Sequence, residues 1–277
     1  GVQTCALPIL SGAYRCGKEI SRKEKYDIFF CLPESFSSAL MCFATGARKR
    51  IGFAKEFRSL LLTCAYPHQT KIHRADQYLL LLEKYFDRKI TNAHVHLNKS
   101  DADISHLLDL NNGRKKIILN FNSEADSRRM PLDKAVSITN KLISEIDAEY
   151  FFIGTEKENS FTTEIIQLLI NTERIKNLCG KTSLKELAAV FQNANLVITS
   201  DSGPAHLANA LGTKTVVFFG AGDDAITSPY NKSNLNIYRS DAWCQRCVSN
   251  TCKLGTQICL TEIKEDTVLA TVRKMFG

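Results

Sequence analysis

Within six residues, Asp201-Ser202-Gly203-Pro204-Ala205-His206 sets a carboxylate, a hydroxyl, a bare stretch of backbone and an imidazole side by side. The segment lies between an apolar strand, Leu196-Val197-Ile198, and a second one, Thr215-Val216-Val217-Phe218-Phe219, which ends at Gly220. A strand, glycine turn, helix and strand in that order form a unit built to hold a phosphate. Gly203 lets the backbone approach a ligand that a side chain would block, and the N-terminus of the following helix presents unpaired N–H groups and a partial positive charge. Pro204 suits the first helical turn, where its missing N–H is no loss. Asp201, at the carboxyl end of a buried parallel strand, occupies the position where open α/β sheets place ligand contacts. His206, one turn further on, is in reach of the same ligand. The alternative is local: Asp201 and Ser202 cap the helix and His206 is a surface residue.

Two other clusters carry chemistry. Ser127-Arg128-Arg129-Met130-Pro131 joins a strand end to a helix start, where guanidinium groups could reach a diphosphate lying over the Gly203 turn. Its plain alternative is a solvated basic loop. Cys244, Cys247, Cys252 and Cys259 follow a C-x2-C-x4-C-x6-C pattern beside Trp243 and Arg246. Four thiolates at that spacing could hold a tetrahedral zinc or pair by oxidation, but unligated thiols are the larger expectation, because spacing alone does not set geometry. Any metal there would be structural, and no catalytic metal or cofactor is expected.

The elements that position these groups alternate between strand and helix. Tyr26 to Leu32 reads as a strand stopped by Pro33, with a helix over Ser35 to Ala44 that Gly46 closes. The basic turn Arg48-Lys49-Arg50 leads into Ile51-Gly52-Phe53, and a helix over Asp76 to Phe86 packs Leu79, Leu80 and Leu82 on an apolar face. Asp27 is expected deep in its strand. Asn98 to Lys116 is polar, contains Asn111-Asn112-Gly113 and is placed as the linker between two domains, 10–112 and 113–277. Beyond it, Ile117 to Phe121 is a buried strand, Pro131 begins a helix lined by Ala135, Ile138, Leu142 and Ile146, and Tyr150 to Ile153 is the next strand. Ser183 and Glu186 form a capping box that starts a helix over Leu184 to Phe191.

The chain has 277 residues, 44% of them hydrophobic, enough for one large core or two ordinary ones. Its 36 basic against 29 acidic side chains give +7, a mild excess that suits an anionic substrate or membrane face without indicating nucleic acid. No apolar run is long enough for a transmembrane helix, and the start lacks the pattern of an export signal. Several of the ten cysteines sit in apolar runs, as Cys31 and Cys42 do, and read as small buried hydrophobes of a reducing, cytoplasmic compartment. Gly1 to Ile9 looks like translated sequencing adapter and is set aside from fold reasoning, so the N-terminal domain is expected to be incomplete.

The block Asp-Ser-Gly-Pro-x-His-Leu-Ala-x-Ala-Leu-Gly from Asp201, followed by Thr-Val-Val-Phe-Phe-Gly and Pro229, resembles the donor-binding segment of glycosyltransferase family 9, which includes the ADP-heptose:lipopolysaccharide heptosyltransferases. The resemblance covers nearly all of Leu10 to Phe276. It implies an α/β fold of GT-B architecture, two Rossmann-like domains facing across a cleft, with acceptor bound by the first and nucleotide sugar by the second. It implies that Asp201 meets the donor sugar and that Ser202, the Gly203 turn and His206 lie near the diphosphate. Arg128 takes the place of a family lysine on the donor phosphates, and Met130 that of a tryptophan. Glu156 matches an acid that binds the ribose hydroxyls, with an exposed loop glutamate as its plain alternative, and Thr182 and Ser183 lie where the base is placed. The implied reaction is metal-free displacement, with inversion, of ADP from ADP-heptose by a sugar of the lipopolysaccharide inner core, at or near the cytoplasmic face of the inner membrane. The family's general-base aspartate belongs to a strand and loop upstream of Leu10, so no catalytic base is assigned and the chain is expected to bind donor without transferring sugar. The alternatives are a non-catalytic nucleotide-sugar-binding protein, a transferase of another envelope sugar, and a cysteine-ribbon nucleic-acid binder, the last disfavoured by the scarcity of basic and aromatic residues around the cysteines.

Overall fold

The computed structural model describes residues 3–276, which form two compact units dividing between Ala93 and His94. Residues 1 and 2 of the suspected adapter stretch lie outside the described residues. The rest opens helix α1 (Gln3–Lys23), where no element had been expected.

The first unit is a three-stranded parallel sheet in the order β1-β2-β3, formed by β1 (Ile28–Cys31), β2 (Lys49–Ala54) and β3 (Cys64–Pro67). Helix α2 (Phe36–Ala44) starts where expected, with Ser35 Oγ accepting the Ser38 N–H, and Gly46 leaves it in the left-handed region at φ 73°. A 3-10 turn, Glu56–Leu61, follows β2, and α3 (Arg74–Phe86) follows β3. In α3 the fully buried leucine is Leu81, against Ile51 and Phe53, while Leu79, Leu80 and Leu82 are half-buried flankers. Asp27 corrects its expectation. It precedes β1 and is exposed, 4.0 Å from Arg48, because the strand begins only at Ile28.

The second unit is a six-stranded, wholly parallel sheet in the order β6-β5-β4-β7-β8-β9. Its strands are β4 (Lys115–Asn120), β5 (Ala148–Phe152), β6 (Ile175–Asn177), β7 (Leu196–Ser200), β8 (Thr215–Phe218) and β9 (Leu235–Tyr238). Alternation along the central strands feeds two cores, one on each face, as a parallel sheet covered on both sides requires. Ile117, Leu119 and Ile198 face α4 (Leu132–Glu145) and α10 (Glu265–Phe276). Ile118, Val197 and Phe151 face α6 (Leu184–Gln192) and α7 (Gly203–Ala210). Each such side chain contributes about 1.5–3 kcal/mol relative to exposure, so the strand ends above them are held firmly.

The second face also explains a shifted boundary. Ile104, Leu107 and Leu108 are buried in the core under α6, so residues 94–112 belong with the second unit instead of closing the first. The stretch is polar in sequence, yet three apolar side chains spaced to reach one core suffice to fold it down.

Candidate functional site

The site forms where β4, β5 and β7 end. Tight turns leave those strands, and the residues there are asparagine, serine, glycine and aspartate, whose small or polar side chains leave a hollow. The cavity measures about 1160 Å³ and is lined by Asn120, Asn122, Gly154, Glu156, Arg128, Thr182, Asp201, Ser202 and Gly203, among others. Seven of the eight donor-site residues singled out from sequence, Ser183 among them, thus line one cavity. His206 is not among the lining residues and is exposed on α7.

The Asp201 turn is not a conventional cap. Ser202 is the residue before α7, but its side chain accepts no helix N–H. Its hydroxyl instead accepts from Asn120 Nδ2 at 3.1 Å, and Asn120 also donates to Thr199 Oγ1 at 3.1 Å. Pro204 has no N–H and Ala205 N–H bonds Ser202 O at 3.1 Å, so the first-turn donor of α7 left for a ligand is Gly203 N–H. A side chain on Gly203 would meet no protein atom within 4 Å and would stand in the cavity.

Asp201 is almost fully buried, with Arg128 Nη1 3.6 Å from its Oδ2, an ion-pair distance too long for a hydrogen bond, so that Oδ2 has no hydrogen-bond partner. Burial pushes the carboxyl up to about 6, the Arg128 charge pulls it down and Asp224 adds to the rise. Gly222 makes room for it, because a Cβ there would collide with Asp201 Oδ2. Asn122 Oδ1 is likewise buried without a partner, while its amide donates to Ile153 O and Thr162 Oγ1, both at 3.3 Å. A buried acceptor left open costs about 1–3 kcal/mol, and both open atoms belong to residues that line the cavity.

On the other side of the cavity Glu156 lies against Gly180, whose φ of 71° suits glycine and whose Cβ would collide with Glu156 Oε2. Ser183 and Glu186 form both hydrogen bonds of the expected capping box, 3.3 and 2.7 Å, so Ser183 has a structural duty beside its place in the lining.

Asn120 falls in the sequence reading only as part of the Ile117 to Phe121 strand, and Asn122 was not singled out. Their signal was position, since polar residues closing an apolar parallel strand lie at the ligand edge. Asn250 and Thr251 gave no local signal at all. They come from the cysteine loop, which is fastened to the Arg128 loop by Ser127 N–H to Asn250 O at 3.1 Å, by Ser127 Oγ to Ser249 O, and by Gln257 Nε2 to Asp126 O at 2.5 Å. Met130, in the family's tryptophan position, is buried in the core below, its N–H on Phe121 O. The four loop cysteines are free thiols, and among the described residues no three His, Cys, Asp or Glu side chains are arranged to hold a metal ion. Burial, then the charges of Cys244, Cys252 and Cys247, push the Cys259 thiol up to about 11.

The family model for glycosyltransferase family 9 (heptosyltransferase) matches residues 13–258. The chain belongs to glycosyltransferase family 9. As a member of that family it is a glycosyltransferase of the heptosyltransferase type. Lipooligosaccharide heptosyltransferase 2 of Campylobacter jejuni subsp. jejuni serotype O:6 is 28% identical over 258 residues, covering 92% of this chain and 78% of that one. Lipopolysaccharide heptosyltransferase 2 of Escherichia coli K12 is 25% identical, covering 80% and 69%. Among solved structures, the E. coli ADP-heptose lps heptosyltransferase II superposes with a TM-score of 0.77 at 22% identity, covering 96% of this chain and 80% of that one. The family 9 glycosyl transferase from Veillonella parvula gives 0.78 at 21%, covering 96% and 78%. At that identity the likeness concerns the fold, which is the α/β GT-B class.

Proposed function

We propose that this enzyme transfers heptose from ADP-heptose to a sugar of the lipopolysaccharide inner core, with the donor held in the cavity of the second unit and the acceptor served by the first. The observation that carries this reading is the convergence of Arg128, Glu156, Thr182, Asp201, Ser202 and Gly203 on one cavity in a member of this family. Relatives whose names specify lipopolysaccharide heptosyltransferases, and E. coli WaaC solved with ADP-2-deoxy-2-fluoro heptose at a TM-score of 0.66, support the choice of donor and acceptor.

In this reading the diphosphate lies over the N-terminus of α7 and takes the Arg128 guanidinium from Asp201. Charge develops on the departing ADP as the anomeric bond breaks, and the fixed Gly203 N–H and Arg128 stabilise it without reorganising. Glu156 accepts the ribose hydroxyls, and Thr182 borders the base. Asn122 Oδ1 and Asp201, both open acceptors, suit the hydroxyls of the transferred sugar. The acceptor hydroxyl attacks the anomeric carbon from the opposite face as the bond to ADP breaks, giving inversion, and its proton is released to water. An acceptor carried on lipid places this work at a membrane face.

Calorimetry with ADP tests the donor half. Wild-type protein binds ADP, and Gly203→Val weakens binding by more than 100-fold while the protein stays folded, because the new side chain occupies the space over the helix terminus. A folded wild-type protein that takes up no ADP overturns the reading.

A further inference from the structure

The loop that follows β9 reaches the donor cavity with two exposed residues, Asn250 and Thr251. Its backbone is tied down on two sides. Toward β8, the Val248 N–H donates to Ala221 O at 2.8 Å and Arg246 Nε donates to Asp224 Oδ1 at 3.1 Å. Toward β4, the Ser127 N–H donates to Asn250 O at 3.1 Å and Gln257 Nε2 donates to Asp126 O at 2.5 Å. Between these ties, Ser249 Oγ donates to Thr251 O at 2.7 Å. Arg246, Val248 and Gln257 stand at φ 56°, 52° and 46°, left-handed conformations that cost a non-glycine residue energy, a β-branched one most of all. Contacts on both sides thus hold residues 250 and 251 in one place against local strain.

Those contacts use the backbone of the two residues and leave their side chains open. Among the described residues the Asn250 amide and the Thr251 hydroxyl make no hydrogen bond, whereas the carbonyls of both residues accept one. An asparagine amide offers two N–H donors and a carbonyl acceptor, and a threonine hydroxyl donates and accepts. That uncharged set matches the hydroxyls of a sugar, each of which also donates and accepts. A diphosphate offers acceptors alone and pairs best with a cation, which Arg128 supplies.

The strand order indicates which part of a donor lies there. The proposed contacts to base, ribose and diphosphate follow it in sequence: Thr182 beyond β6, Glu156 beyond β5, then Arg128 and Gly203 beyond β4 and β7. A nucleotide sugar laid along that line continues past the diphosphate toward β8, the side on which the loop bonds to Ala221 and Asp224. We propose that Asn250 and Thr251 hydrogen-bond the hydroxyls of the transferred sugar and so help to select it. The inference rests on the donor reading above, and it extends that site by two residues that no local sequence pattern marks.

Calorimetry of the full chain with ADP and with ADP-heptose tests it. Asn250→Ala/Thr251→Ala keeps ADP affinity within twofold and weakens ADP-heptose about tenfold. Each single alanine variant weakens ADP-heptose about threefold, and Thr251→Ser restores most of what Thr251→Ala loses. The denaturation midpoint stays at the wild-type value, because neither side chain bonds to the protein. In spectra of the amide-labelled protein, the Asn250 side-chain resonance, identified by its loss in Asn250→Ala, shifts with ADP-heptose and not with ADP. Equal ADP-heptose affinity in wild type and the double variant overturns the proposal while leaving the donor reading intact. Parallel weakening of both ligands, or an Asn250 resonance that answers both alike, also overturns it and assigns the loop to the diphosphate. A wild-type chain that binds neither ligand overturns the donor reading, and this assignment with it.

Discussion

The two parallel sheets of this chain treat their carboxyl ends in opposite ways. In the second unit, β4, β5 and β7 end in Asn120, Ile153-Gly154 and Asp201-Ser202-Gly203, and the small or polar side chains leave a hollow with two open acceptors. In the first, the strand ends carry bulk and charge. Glu34 lies 3.2 Å from His68, 3.1 Å from Arg74 and 3.9 Å from Lys55, and the buried Arg58 guanidinium donates to Phe53 O at 2.5 Å, Pro33 O at 2.8 Å and Cys31 Sγ at 3.2 Å. One topology thus makes a polar hollow at one sheet and a filled, ion-paired edge at the other, and the difference lies in the residues that close the strands. It follows that the two edges should fail independently.

The largest expected effect comes from Arg58→Met. Removing the guanidinium leaves Phe53 O, Pro33 O and Cys31 Sγ without their donor, at a cost of about 3 kcal/mol. Hydrogen exchange should accelerate in β1, β2 and the turn, with β4 and β7 unchanged and ADP affinity within twofold. Weakened ADP binding in this variant would show that the edges are coupled.

Asp201→Asn is the next largest. The Asp201 carboxyl titrates near 6 in the folded protein and near 4 unfolded, so the folded state holds the extra proton between those values. Stability tied to this group is therefore full below about pH 4 and is lost as pH rises to about 6, by up to about 3 kcal/mol. The asparagine variant should abolish that slope and be more stable than wild type at pH 7.5 in urea denaturation. With Arg128 released, it should keep its ADP affinity but bind the sugar donor more weakly, read by calorimetry with the nucleotide sugar. A pH–stability difference between variant and wild type that stays flat from pH 4 to 7 contradicts the assignment.

Ser183→Ala is the smallest. It removes one half of the capping box and should cost about 1 kcal/mol, read as a small drop in denaturation midpoint. An ADP affinity lowered by more than threefold would make Ser183 a ligand contact as well as a cap.

The sequence by itself determined what short-range chemistry governs. The Ser183–Glu186 box, the Ser35 cap, the Gly46 exit and the strand-to-helix passage at Asp201 each depend on residues within four positions of one another, and all stand where the residue types place them. The apolar runs of β4 and β7 likewise fixed a buried parallel sheet, because only a strand covered on both faces is hydrophobic throughout. Tertiary structure decided the rest. Asn250 and Thr251 reach the cavity from more than a hundred residues beyond Arg128, through Ser127 and Gln257. The polar stretch before Lys116 joins the second unit through three apolar side chains whose partners on α6 are distant in sequence. His206 is exposed on α7 while Ala208 of the same helix is buried with Val197 and Phe191. Local residue types fix an element's start and its buried face, whereas which loops meet above a sheet depends on contacts that form only when the whole unit closes.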